Sequence, residues 1–336
     1  MVAKTADAPT VIIEDETLRD GLQLLAWRPS LEDKLRLFRL LFAAGLPRIQ
    51  VGALVRADVM PQMADTEQLL AALSAEERRR ATALAMNRRG LDRALTTGLE
   101  HISLSASLTE KHSLANTGRG VRDGLFRLEE LIRIAAQAGL TTRAGLQNAF
   151  GGQGESVAER TALLAAERLL AAGAAEINLA DTSAVAEPEA IHALVSQIAR
   201  RFPTATISLH LHNQGGRGLA GLAQGFAAGA RIVDCCLAGL GGCPFIQSHG
   251  AADPPDRRAG NLDTEKVAEF FTTQGIATGV SIPSLSEARR FVLSALASRL
   301  CSVPCDHIPI RSWPLFHAQA ILREMIESHR RQKDES

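Results

Sequence analysis

The chain lacks a charge of its own: Lys plus Arg and Asp plus Glu each number 37 in 336 residues, for a formal net charge of +0. A balanced chain projects no field that gathers nucleic acid or an anionic membrane, so a charged partner is small and bound locally. No apolar run is long enough to span a bilayer. Met1 to Thr10 is polar, without the apolar core of a secretory signal or the arginine-rich helix of an organelle address, which predicts a cytoplasmic protein. Only 5 cysteines occur, with Cys235 and Cys236 adjacent and Cys301 and Cys305 near the end. They form no C-x-x-C pair and no extracellular framework, as expected of reduced thiols. What is abundant is apolar: 46% of residues are hydrophobic, enough to bury a large core and inconsistent with disorder. The arginines at Arg78 to Arg80 and Arg88 to Arg89 sit beside expected helix ends and read as solvated cations.

Short β-like runs alternate with amphipathic stretches along most of the chain, the pattern of parallel strands joined by helical crossovers. Eight strands are expected, near Val11–Glu14, Arg48–Ala53, Ala81–Met86, His101–Ser105, Thr141–Gly145, Ala175–Ala180, Ala205–His212 and Ala230–Leu237. Helices are expected near Leu31–Ala44, Asp65–Leu73, Gly90–Thr97, Asp123–Ala138, Ser156–Ala172, Pro188–Arg201, Arg217–Ala228 and Asp263–Thr273. Gly45, Gly139, Gly173 and Gly229 each follow a helix and precede a strand, where a left-handed cap is wanted. Eight such units favour an α/β fold of the closed (β/α)8 TIM-barrel type over an open doubly wound sheet. The expected organisation is a flexible start (1–10), a catalytic barrel (11–275), a C-terminal helical extension (276–329) and a polar tail (330–336). The extension holds helices near Ser284–Leu300 and Pro314–His329, and Ile246–Arg258 reads as an exposed loop.

The chemistry centres on Ile207-Ser-Leu-His-Leu-His212. Alternation sends His210 and His212 to one face and Ile207, Leu209 and Leu211 to the other. On an isolated edge strand this is surface polarity, but a barrel gathers reactive groups at the C-terminal ends of its strands. Arg19 and Asp20 end the first unit, Gln50 lies on the second strand, His101 and Ser103 on the fourth, Asp181 caps the sixth, and Cys243 and Asn261 follow the eighth. Asp20, His210, His212 and Asn261 offer one carboxylate, two imidazoles and an amide oxygen to a divalent cation, with positions left for substrate oxygens. Mg²⁺, Mn²⁺, Co²⁺ and Fe²⁺ suit this donor set as well as Zn²⁺, and the order of affinities alone does not choose among them. Cys243, in Leu240-Gly-Gly-Cys-Pro244, is either a thiol carried over the mouth by a mobile loop or a buried inert one. Cys235 and Cys236 are assigned to packing.

Four segments together carry a resemblance: Glu14-Asp-Glu-Thr-Leu-Arg-Asp-Gly-Leu-Gln23, the His-x-His at 210 and 212, Ala238-Gly-Leu-Gly-Gly-Cys-Pro244, and Gly260-Asn-Leu-Asp-Thr-Glu265. In this order they resemble the DRE-TIM metallolyases typified by hydroxymethylglutaryl-CoA lyase. The resemblance implies that Asp20, His210, His212 and Asn261 hold the cation, Arg19 neutralises a developing enolate, Cys243 transfers a proton, and Asp181 helps with the substrate hydroxyl proton, with His210 also catalytic. Gln23, Gln50 and Arg56 are expected to bind substrate, Arg56 by pairing with a carboxylate or else as a solvated cation.

The pattern also departs from that family. Gln50 stands where those lyases carry glutamate, Leu24-Leu-Ala-Trp27 replaces a polar run that holds CoA, and Asn213-Gln214 follows His212 where Asp-Thr is usual. The expected function is divalent-metal carbon–carbon cleavage of a branched 3-hydroxy acid or acyl-CoA, by retro-Claisen or retro-aldol chemistry, in a homodimer. The alternatives are a Claisen-type acyltransferase or aldolase acting on a 2-oxo acid, and a catalytically inactive metal-binding homologue.

Overall fold

The computed structural model describes residues 11–25, 27–243 and 260–301. Eight strands run in chain order: β1 (Ile12–Asp15), β2 (Arg48–Ala53), β3 (Ala81–Ala85), β4 (His101–Ser107), β5 (Thr141–Gln147), β6 (Glu176–Asp181), β7 (Thr206–Leu211) and β8 (Ile232–Cys235). Each pairs in parallel with the next, and β8 closes on β1 through Ile12↔Ile232 to Asp15↔Cys235. The fold is the expected (β/α)8 barrel.

The helices are α1 (Leu31–Ala43), α2 (Thr66–Ala71), α3 (Ala75–Arg78), α4 (Arg88–Ala94), α5 (Glu110–Thr117), α6 (Val121–Gln137), α7 (Glu159–Ala171), α8 (Pro188–Arg201), α9 (Arg217–Ala228), α10 (Thr264–Thr273) and α11 (Ile282–Cys301). No helix among the described residues is long and apolar enough to cross a membrane. The expected helix Pro314–His329, the polar tail and the 246–258 loop lie outside the described residues.

Alternation along each strand sorts the two faces. Ile13, Ile49, Ala83, Ile102, Ala144, Ile177, Leu209 and Val233 are buried among the helices. The other parity fills the barrel with polar groups, which find their partners across the axis. Arg143 on β5 reaches Glu14 (2.6 Å) and Asp234 (2.9 Å) and also pairs with Glu176, while Arg48 takes Glu176 (2.6 Å). Removing one member of such a buried network costs about 3–5 kcal/mol, because its partners are left charged and unpaired. The core therefore has an apolar outer shell and an ionic centre.

Local chemistry starts and stops the helices. Ser30 caps α1 by accepting from the Asp33 amide at 3.0 Å, and Asn87 caps α4 by accepting from the Gly90 amide at 2.9 Å. The expected stops at Gly45, Gly139, Gly173 and Gly229 all have positive φ. Gly45 has a second reason: a Cβ there would lie 2.6 Å from the Gly279 carbonyl oxygen. Two short helices, α3 and α5, were not expected. Only His112 and Ser113 of α5 are buried, so no apolar stripe announces it.

Candidate active site

Immediately after β1 the chain makes one π-helical turn, Thr17–Gly21, in which the Gly21 amide reaches back to the Glu16 carbonyl (3.2 Å). Such turns insert an extra residue into a helical repeat and re-aim the side chains they carry. Here the turn sets Arg19 and Asp20 into a cavity of about 270 Å³ at the C-terminal end of the barrel. Glu16, Gln23, Gln50, His210, His212, Asp234 and Cys243 line the same space.

Parity on β7 delivers both imidazoles inward, with their Nε2 atoms 3.3 Å apart. Two nitrogens that bind one cation at about 2.1 Å on adjacent positions stand roughly 3 Å from each other, so this spacing suits a shared ion. Ligand atoms of Asp20, His210 and His212 all lie within 4.8 Å of one another. His210 Nδ1 faces Asp234 (3.3 Å) and Glu16 (3.5 Å), which turns Nε2 towards the cavity.

Asn261 lies beside Asp20: its Nδ2 donates to Asp20 Oδ2 (2.5 Å) and to the Leu240 carbonyl (2.9 Å). Its Oδ1 is buried without a hydrogen-bond partner. A buried orphan acceptor is costly, and a cation is the partner that removes the cost. Charge leads to the same conclusion. Glu14, Glu16, Asp20, Glu176 and Asp234 are five buried carboxylates facing three guanidiniums, Arg19, Arg48 and Arg143, so the ionised cluster carries two negative charges in excess. A divalent cation would cancel that excess, which the cluster otherwise sheds in part by holding a proton on Glu16.

The titrations show the strain of the excess. Burial, opposed by Arg19 and reinforced by Asp234, pushes Glu16 up to about 8. Burial and neighbouring His210 push His212 down to about 4, leaving a neutral imidazole suited to metal ligation. Burial pulls His210 down, but Asp234, Glu16 and Asp20 overcome it and leave its pKa raised. Burial opposes the ionised form of Asp20, yet Arg19 and both imidazoles hold its pKa below the usual carboxylate range.

Arg19 is fixed from three sides by Glu16, Asp20 and Gln50. Gln23 donates to Asp20 Oδ1 (2.5 Å) and to the Gly242 carbonyl (3.3 Å), tying the first unit to the glycine loop. Gly241 allows that loop to lie on the cluster: a Cβ there would stand 2.5 Å from Asp20 Oδ2 and closer still to Asn261 Nδ2. The loop brings Cys243 to the cavity, where its Sγ stands 3.2 Å from His112 Nε2. Cys235 and Cys236 are both buried in the core as expected, and the Cys236 sulfur also accepts from Asn261 Nδ2 at 3.3 Å.

Two expected placements, Asp181 and His101, need correction. Asn178, Ala180 and Thr182 face the cavity, so Asp181 faces outward; its carboxylate accepts the amides of Val185 (2.9 Å) and Ala186 (3.1 Å) and shapes its own loop. His101 begins β4 and therefore sits at the far end of the barrel from the mouth. Gln50 touches the cavity, but its amide is engaged with Arg19, with Ser103 (3.2 Å) and with Glu14 (3.4 Å). Arg56 stands at the rim, exposed and paired with Asp58. In the divergent run after Gln23, Leu25 is buried and Trp27 packs against the core beside α1 and α11.

Sequence reasoning missed Glu16, His112 and Asp234. Alternation on β8 held the signal for Asp234, since Val233 and Cys235 face the helices. Nothing in α5 marked His112 out.

Fold and site together define a carbon–carbon lyase built on a TIM barrel. The family model described as HMGL-like matches residues 10–292, and the chain belongs to that family. It is 32% identical over 302 residues to (R)-citramalyl-CoA lyase of Chloroflexus aurantiacus, covering 86% of this chain and 92% of that protein. It is 30% identical over 287 residues to mitochondrial hydroxymethylglutaryl-CoA lyase of Bos taurus, covering 84% of each. Among solved structures, the Bacillus subtilis HMG-CoA lyase superposes with TM-score 0.78 at 28% identity, covering 86% of this chain and 94% of that one. An HMG-CoA lyase from Acinetobacter baumannii, solved with coenzyme A and 3-methylmalate, gives 0.79 at 25% identity, covering 91% and 99%.

Proposed function

We propose that the protein is a divalent-metal-dependent lyase that cleaves a branched 3-hydroxyacyl-CoA of the citramalyl or hydroxymethylglutaryl type into an acyl-CoA and a carbonyl compound. The observation that carries this reading is the convergence of Asp20, His210 and His212 on one point beside the orphan Asn261 oxygen, next to Arg19 and Cys243. Asp20, His210, His212 and Asn261 would hold Mg²⁺ or Mn²⁺, which supplies acidification of the substrate hydroxyl and polarisation of its oxygens.

The protein's own groups share the remaining work. The Glu16 carboxylate, which faces the cavity beside Asp234, takes the hydroxyl proton in place of the outward-turned Asp181, and His210, whose Nε2 would serve the cation, meets Glu16 and Asp234 through Nδ1. As the carbon–carbon bond breaks, its electron pair moves into the thioester enolate, whose charge the fixed Arg19 guanidinium supports. The Cys243 thiol then returns a proton to the enolate carbon. Thioester recognition is supported by the names of the relatives and by the coenzyme A held in one similar structure. A homodimer belongs to the same reading, supported by the resemblance alone.

The test is direct. Metal-loaded protein is incubated with citramalyl-CoA, hydroxymethylglutaryl-CoA and the corresponding free hydroxy acids, and products are identified by mass. Acetyl-CoA together with a ketone or 2-oxo acid, lost on chelation and restored by Mn²⁺, is expected. Cleavage of the free acids alone would remove CoA from the reading, and free CoA released from acetyl-CoA plus a 2-oxo acid would replace the lyase with a synthase.

A further inference from the structure

His112 is fully buried on α5, a short helix in the connection between β4 and α6 that lends His112 and Asn116 to the cavity wall. It is 131 residues from Cys243 in sequence, yet its Nε2 touches Sγ at 3.2 Å, and both side chains line the cavity that holds the metal-type cluster. The contact is not an accident of a loose helix. Glu155, from the segment after β5, accepts the amides of Glu110 (2.8 Å) and Lys111 (2.9 Å) and so fixes the first turn of α5. Buried Thr109, one residue before the helix, accepts from Asn148 Nδ2 at 2.9 Å. On the other side, the glycine loop that carries Cys243 is held to Asp20 through the Gly242 amide (3.1 Å). Two independently anchored segments thus meet at one nitrogen and one sulfur.

We propose that His112 is a positioning residue that seats the Cys243 thiol over the cavity and supports the thiolate left when that thiol gives up its proton. This rests on the reading above, in which the thiol protonates the enolate. When the S–H bond breaks, the proton goes to the enolate carbon and the electron pair stays on sulfur, where an N–H from Nε2 stabilises it. The thiolate regains a proton from solvent once the product leaves. Burial pushes His112 down to about 4, so the imidazole is neutral at working pH. It therefore assists as a hydrogen-bond donor, without an imidazolium–thiolate ion pair of the kind that turns a cysteine into a nucleophile.

The experiment compares wild type with His112→Leu, which fills the space but cannot bond, and His112→Gln, whose amide nitrogen can reach the Nε2 position. Metal-loaded proteins are treated with iodoacetamide at pH 7.5, and the rate at Cys243 is followed by peptide mass. The Leu variant should alkylate at least about fivefold more slowly, the Gln variant should stay within about twofold of wild type, and kcat should follow the same order with KM little changed. Equal rates in all three proteins, or faster alkylation in the Leu variant, would overturn the proposal by showing that His112 is indifferent to the thiol or only shields it. Thermal melts identify a variant that has simply lost its fold, and the Gln variant then decides. The underlying reading fails separately: wild-type turnover in Cys243→Ser would remove the thiol from the reaction and with it the catalytic share of His112. If both readings hold, adding His112→Leu to Cys243→Ser costs no further turnover.

Discussion

One wall of the cavity is charged and the other is not. The turn after β1 together with β7 and β8 brings Glu16, Arg19, Asp20, His210, His212 and Asp234, each held by another member of the group. The ends of β2 and β3 and the segments that follow bring Val55, Val59, Met60, Leu84, Met86 and Asn87. Mutual charge makes the first wall a single device, in which no member can be altered without leaving a buried partner uncompensated. The second wall makes contacts of shape, which tolerate exchanges that conserve volume. The segments that carry the family resemblance lie on the first wall and beside it, while Gln50, a departure, and Arg56 at the rim lie on the side of the second. Reaction and substrate choice are therefore separable in this cavity.

The largest effect belongs to the charged wall. His210→Ala removes one donor from the cluster and leaves Glu16 and Asp234 without their shared imidazole. Metal bound after dialysis, measured by mass spectrometry of the ion, should fall to a small fraction of wild type, and turnover by about a thousandfold or more. Metal retained at full stoichiometry would show that the three-residue convergence is not the ion's seat.

Gln50→Glu works at the join between the walls. The amide bonds Arg19 through its oxygen, and its nitrogen faces Ser103 and Glu14. A carboxylate there would confront Glu14 across about the same gap and add a negative charge to a cluster already in excess. It would also compete with the departing enolate for the positive charge of Arg19. The expected outcome is a drop of about tenfold in kcat with metal content unchanged. Unaltered kcat with a changed order of preferred substrates would instead make position 50 a specificity position.

The barrel and half of the site were legible because they follow a two-residue period. Alternation located β7 and aimed His210 and His212 together, and glycines after the helices marked where strands begin. The same rule, applied to β6, assigns Asp181 to the outer face once Asn178 and Thr182 are known to face inward. His101 was misplaced although the expected strand already began with it: the inward parity was right, but a residue that opens a strand sits at the end away from the mouth. The π-helical turn was hidden, since the Glu16 carbonyl accepts an amide five residues on and no composition signal encodes that bond. His112 was hidden twice over. Its helix has no apolar stripe, and its partner lies on the far side of the chain.

The smallest expected effect is at Arg56, where the two walls meet solvent. Its side chain is 70% exposed and bonds Asp58, itself 64% exposed, so water and salt screen the pair and it adds little to stability. Asp58 holds the guanidinium through both Nε and Nη2. If Arg56 meets an anionic part of the incoming substrate, Arg56→Ala should raise KM about threefold and leave kcat unchanged, because a contact made equally in ground and transition states affects binding alone. Asp58→Ala should act in the opposite sense by releasing the guanidinium, and both changes should shrink in high salt. The same KM for wild type and both variants would confine Arg56 to the solvent surface. A fall in kcat in Arg56→Ala would carry more weight, since it would extend the charged wall to the rim and end the separation of reaction from substrate choice.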